Sequence, residues 1–154
     1  MPPHKETDFS NNKAFNTMEN ASKAIDTARD ALGKLTKGRI WKHEAPHGIE
    51  IKGSLMQDDK HVAVIHFNGE DASVLPRGLH GLSQGKPEII KQIEEKLALL
   101  PTQMKVLEGA EFREPEECWA IPVALNGRIV CHLKISADGT QLKPDLKIER
   151  EFDK

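Results

Sequence analysis

The chain has 154 residues, the length of one domain, with 38% hydrophobic and 30% charged residues and 2 Cys, a balance that excludes disordered, collagen-like and disulfide-stapled classes. Its 22 Lys and Arg stand against 24 Asp and Glu, a formal net charge of -2, so no basic face is offered to a nucleic-acid backbone or an anionic membrane. No apolar run approaches the roughly 18 residues that span a bilayer, and Met1 to Asn12 lacks the apolar stretch of a signal peptide; the expectation is a cytoplasmic protein with neither nucleic acid nor membrane as partner.

Residues 1–10 mix Pro, Asp, Ser and His without periodicity and read as a flexible tail. Ala14, Met18, Ala21, Ile25, Ala28, Leu32 and Leu35 then recur at spacings of four and three, which predicts one helix of about 24 residues closed by Gly38. The stripe is narrow and rich in Ala. It suits a helix lying close on a sheet, with a seam between two copies of the chain as the alternative.

After Gly38 the period drops to two. Arg39 to His43, Ile49 to Met56 and Lys60 to Phe67 read as an antiparallel three-stranded meander. A Gly-rich linker over 77–86 follows. Pro87 opens a second helix whose Ile89, Ile90, Ile93, Leu97 and Leu100 share a face until Pro101. Met104 to Phe112, Cys118 to Leu125 and Arg128 to Ile135 read as three more strands, and 145–154 as a polar C-terminal tail.

Shifted by 68 positions, the halves match in kind: Ile25 falls on Ile93, Leu32 on Leu100, Ile51 on Trp119, Val62 on Val130, and Asp58-Asp59-Lys60 on Asn126-Gly127-Arg128. The expected fold is therefore α+β, with two tandem repeats (11–76 and 87–144) of one helix followed by a three-stranded antiparallel meander. Each helix is expected on one face of its own sheet, the whole forming one compact unit. A three-residue loop, Leu125-Asn126-Gly127, places Trp119, Ile121, Val123, Ile129, Cys131, Leu133 and Ile135 on one core face, and a loop at Gln57-Asp58-Asp59 does the same for Ile49, Ile51, Leu55, Ala63, Ile65 and Phe67. In this register His61 points inward and Cys118 and Cys131 lie on opposite faces, which argues against a disulfide between them.

Three patterns bear on chemistry. His43-Glu44-Ala45-Pro46-His47 matches H-E-x-x-H, in which two histidines four apart on a helix hold Zn²⁺ and the Glu polarises its water. Pro46 and Gly48 and the strand-like flanks oppose a helix here, so no cofactor is expected, with zinc on His43 and His47 as the alternative. Gly81-Leu82-Ser83-Gln84-Gly85 matches the nucleophile elbow G-x-S-x-G but lacks the strand that should run into it. The outward sheet face sets Met56, Val62, Val64, Cys118, Ala120, Pro122 and Val130 among His66, His132 and other polar residues, more apolar than a solvated face requires. Something is expected to cover it: the other repeat, the N-terminal tail, Glu149 to Lys154, a protein partner or a second copy.

The run Trp119-Ala120-Ile121-Pro122-Val123, the turn Asn126-Gly127 and the strand that ends at Ala137-Asp138-Gly139 resemble the PepSY pattern of W-x-V-x-V, Gly turn and Asp-Gly. That resemblance implies an inhibitor or regulator role and carries no catalytic residues. The functional expectation is a non-catalytic binding or regulatory module that acts on a protein partner or as a homo-oligomer through Met56, Val62, Val64, His66, Val130 and His132. The alternative is a metal-dependent hydrolase built on His43, Glu44 and His47.

Overall fold

The computed structural model describes residues 16–46, 48–79 and 87–152. Helix α1 (Met18–Leu32) begins at Thr17, whose hydroxyl accepts a hydrogen bond from the Asn20 N–H at 3.1 Å and so satisfies a donor that the first turn leaves free. It is shorter than the apolar spacing predicts. Gly33 closes it, Leu35 is buried beyond its end, and Ala14 lies outside the described residues. The buried stripe is Ala24, Ala28, Ala31 and Leu32, while Met18 is 89% exposed.

Strands β1 (Thr36–Ala45), β2 (Gly48–Gln57) and β3 (Lys60–Phe67) form an antiparallel sheet in that order. Helix α2 (Ile89–Gln103) buries Ile89, Ile93, Leu97 and Leu100 and carries Pro101 within its last turn instead of ending there. A second antiparallel sheet holds β4 (Lys105–Val106), β5 (Glu111–Arg113), β6 (Cys118–Leu125), β7 (Arg128–Ser136) and β8 (Leu142–Lys143). The single strand expected over Met104 to Phe112 is broken opposite Pro122, which has no N–H for the ladder. Leu107 donates to the Pro122 carbonyl at 3.0 Å, and the chain then leaves the edge of β6 and rejoins it at Glu111. Helix α3 (Leu146–Phe152) stands where the sequence reads as a polar tail; it buries Ile148 and turns Phe152 onto the first sheet.

The tandem repeat is not evident in this order of elements. Among the described residues one helix precedes the first sheet and two follow it, and the second sheet has five strands. The helices also do not pack on the sheets that follow them. Helix α1 lies on β4, β6, β7 and β8, and α2 lies on β1 and β2, so each covers the sheet of the other half and both sides share one core. An apolar stripe fits either sheet equally well, because local periodicity sets a helix's wet and dry faces and leaves its partner to tertiary packing.

Hairpins β2–β3 and β6–β7 are nonetheless built alike. Both turn on two residues, where a three-residue loop was expected: Gln57 pairs with Lys60 and Leu125 with Arg128. Asn126 and Gly127 both hold positive φ, at 51° and 81°, the conformation that matches the twist of the strands they join. Each hairpin then carries a bulge a few residues on, at Val62 and at Val130. The extra residue restores the register of the core, so Trp119, Ile121, Val123, Cys131, Leu133 and Ile135 are all buried as expected. It also moves Val62 and Val130 into the core, turns Ile129 outward to 37% exposure, and sends His61 outward to meet Phe152.

Two reciprocal backbone bonds tie the halves together. Arg77 donates to the Ile129 carbonyl and Asp145 to the His61 carbonyl, each at 2.8 Å, and β3 and β7 lie alongside one another between them.

Candidate functional site

The outward face of the first sheet is largely covered by the chain's own C-terminal helix. The Phe152 ring meets Trp41 edge-on at 4.8 Å and His61 at 5.1 Å, with the Arg39 guanidinium 4.3 Å from its centre. Glu151 accepts from Lys52 at 2.6 Å. Beneath this cover Ser54 is fully buried: its Oγ accepts from the Arg39 N–H at 2.9 Å and lies 2.8 Å from His61 Nδ1. The Ser–His contact therefore joins β2 to β3 under α3, with β1 tied in through the Arg39 N–H.

Past the edge of α3 the outward faces of β3 and β7 form a cleft of about 330 Å³. Val64 and His66 enter it from β3, and His132 and Lys134 from β7. Three of the residues expected on a binding face, Val64, His66 and His132, thus come together from the two halves of the chain. Met56 lies outside the cleft, near the end of β2. Val62 and Val130 leave the candidate face altogether, because the bulges bury them in the core.

Arg77, from the segment after β3, and Arg113, from β5, also line the cleft, as do Asp145, Lys147 and Glu151 on the side of α3. Neither arginine was legible as a site residue in the sequence, since each stands alone in a stretch without periodicity. The pairing of Arg113 with Cys118 at the edge of β6 is what brings it to the face shared with Lys134.

Charge around the cleft is unevenly spent. Lys134 lies 2.8 Å from Glu116 and 3.9 Å from Asp145, and Glu151 is engaged by Lys52. Among the described residues Arg113 has one long ion-pair contact, 3.8 Å from Nε to Glu111. Lys134 holds the Glu116 carboxyl below its usual range, against the opposing cost of burial.

His132 is the most perturbed group of the cleft. Burial of its ring, followed by the positive charges of Arg77 and Arg113 and opposed by Glu111, pushes its pKa down to about 4. It is neutral at pH 7, and its Nδ1 is shielded from solvent with no hydrogen-bond partner among the described residues. The unfolded chain takes up a proton near pH 6.5 that the folded chain refuses until about 4. Stability present above pH 6.5 is therefore lost as pH falls toward 4. In His132→Gln that slope disappears: denaturant midpoints of variant and parent keep a constant offset above neutrality and shift in the variant's favour as the solution is acidified. Parallel profiles down to pH 4 would show that His132 titrates alike in both states.

The H-E-x-x-H pattern has an extended backbone where it is described. His43 and Glu44 are consecutive in β1, which continues to Ala45, and His47 lies outside the described residues. Two side chains four apart converge on one metal when the backbone is helical, and β1 does not supply that geometry. Among the described residues no group of three or more His, Cys, Asp or Glu is placed to hold a metal ion. Residues 81–85, with the G-x-S-x-G pattern, are also outside the described residues.

Both cysteines are free and buried. Burial pushes the Cys131 thiol up to about 12. Burial, together with Glu116 3.6 Å away, also raises the Cys118 thiol, so neither is an activated nucleophile.

No protein-family model, no curated protein and no solved structure matches this chain. The functional reading rests on the residues themselves. Among the described residues no helix is long and apolar enough to cross a membrane.

Proposed function

We propose that this protein is a non-catalytic binding and regulatory module whose contact surface is the outward face where β3 meets β7. A protein partner or a second copy of the chain engages the rim of the cleft. The observation that carries this reading is the convergence of Val64 and His66 with His132: residues far apart in sequence are brought into one concave site by the fold. The covering of the neighbouring face by α3 supports the same reading, because it accounts for much of the apolar outward surface of the first sheet and leaves this cleft open beside it. The PepSY-like run at Trp119 to Gly139 favours a regulatory role for the same module.

Val64 is partly exposed, and its pairing opposite Ser54 does not reach the core. Val64→Glu is therefore expected to leave the fold intact while abolishing partner capture or self-association, measured by pull-down and by sedimentation against the parent. Retention of both by a folded Val64→Glu protein would remove the face from consideration.

A further inference from the structure

We propose that the cleft between β3 and β7 binds a small-molecule oxyanion, a carboxylate or phosphate group gripped between the guanidinium groups of Arg77 and Arg113 beside His132. This rests on reading the cleft as the module's binding site, and it gives that site a ligand chemistry.

The first argument is size. A volume of about 330 Å³ is at the small end of the roughly 300–1,000 Å³ of small-molecule sites. It admits a metabolite-sized group and excludes a docked helix or strand.

The second argument is charge. The anionic residues of the wall already have partners: Glu151 lies 2.6 Å from Lys52, and Asp145 accepts from the Lys147 N–H at 3.1 Å and lies 3.9 Å from Lys134. Arg77 and Lys147 form no ion pair with any described residue, and Arg113 has only its 3.8 Å contact with Glu111. Arg77, Arg113 and His132 line the same cleft, and the positive charge of each arginine acts on the imidazole. An anion in the cleft offsets those two charges. Planar guanidinium groups make paired hydrogen bonds to carboxylate and phosphate oxygens, which a lysine ammonium does not reproduce.

The third argument is the wall. His132 lines the cleft with its Nδ1 turned away from solvent. Val64 and Ile148 make the apolar part of the wall, which lowers the local dielectric and strengthens each of these contacts.

The test is an NMR titration of the histidine ring resonances at neutral pH, with inorganic phosphate and succinate as separate probes and ionic strength held constant with sodium chloride. For at least one probe, the His132 signals are expected to shift and saturate. Arg77→Gln or Arg113→Gln is expected to weaken that binding by about tenfold or more, the worth of a hydrogen bond to a charged group. Arg150→Gln, on the exposed side of α3, is expected to leave it unchanged. The probe that saturates tells phosphate from carboxylate.

Shifts that stay linear with both probes would overturn the proposal, as would saturation that both arginine variants leave unchanged. If Val64→Glu still abolishes partner capture in that case, the binding face survives and only its anionic ligand is lost.

Discussion

Gly139→Ala is expected to destabilise the protein by roughly 2–4 kcal/mol, by adding backbone strain to a steric clash. Gly139 holds φ at +79° in the turn between β7 and β8, and a Cβ there would stand 2.8 Å from the Asn20 carbonyl oxygen and 3.0 Å from the Ala24 nitrogen. Those atoms are backbone of α1 and cannot swing aside. The Thr27 hydroxyl also donates to the Gly139 carbonyl, so the turn is the point at which α1 is fastened to the second sheet.

Gly127→Ala is the control, because Gly127 has φ +81° but open space around its Cβ position. It should cost only the strain, about 1–2 kcal/mol. Chemical denaturation of both variants separates the two effects, and hydrogen exchange should show protection lost in α1 and β6–β8 before it is lost in β1–β3. Equal losses of stability in the two variants would show that the contact of α1 with this turn contributes nothing.

The sequence foretold the faces of the elements better than their partners. The stripe Ile89, Ile93, Leu97, Leu100 is buried as its spacing requires, and so are Trp119, Ile121 and Val123 on β6. The exchange of helices between sheets was not legible, because Ala24 and Ala28 present the same small surface to whichever sheet receives them. The bulges at Val62 and Val130 left no mark in the sequence beyond an apolar residue at an apparently outward position. The two-residue turn reverses the faces as far as the bulge and the inserted residue restores them beyond it, which is why His61 lies outward and Val62 inward while Ala63, Ile65 and Phe67 stay on the core face. Helix α3 could have been suspected from Ile148 and Phe152, four apart within Leu146–Phe152. The surrounding charge concealed it. At the cleft, Val64, His66 and His132 could be named from alternation alone, whereas Arg77 and Arg113 required the positions of a loop and an edge strand.

The approach of α2 to the first sheet should couple Gly53 and Leu97. Gly53 lies in the middle of β2, and a Cβ there would come within 2.8 Å of Leu97 Cδ2 and 3.2 Å of Phe67 Cε2. Leu97 and Phe67 are fully buried, so the strand can hold nothing larger than glycine while Leu97 keeps its place. Leu97→Ala is expected to cost about 2–5 kcal/mol, the lost burial together with the cavity left beneath α2. Gly53→Ala is expected to cost about 1–3 kcal/mol through overpacking.

The double variant should cost less than the two single losses combined, because the methyl group at position 53 occupies part of the space that Leu97 vacates. Residues in contact commonly couple by about 0.5–3 kcal/mol, and here the sign is fixed by geometry. Urea unfolding of all four proteins measures it. Strict additivity would mean that α2 moves away from β2 in Gly53→Ala without disturbing Leu97, so that the contact between Gly53 and Leu97 does not set the distance between α2 and the first sheet.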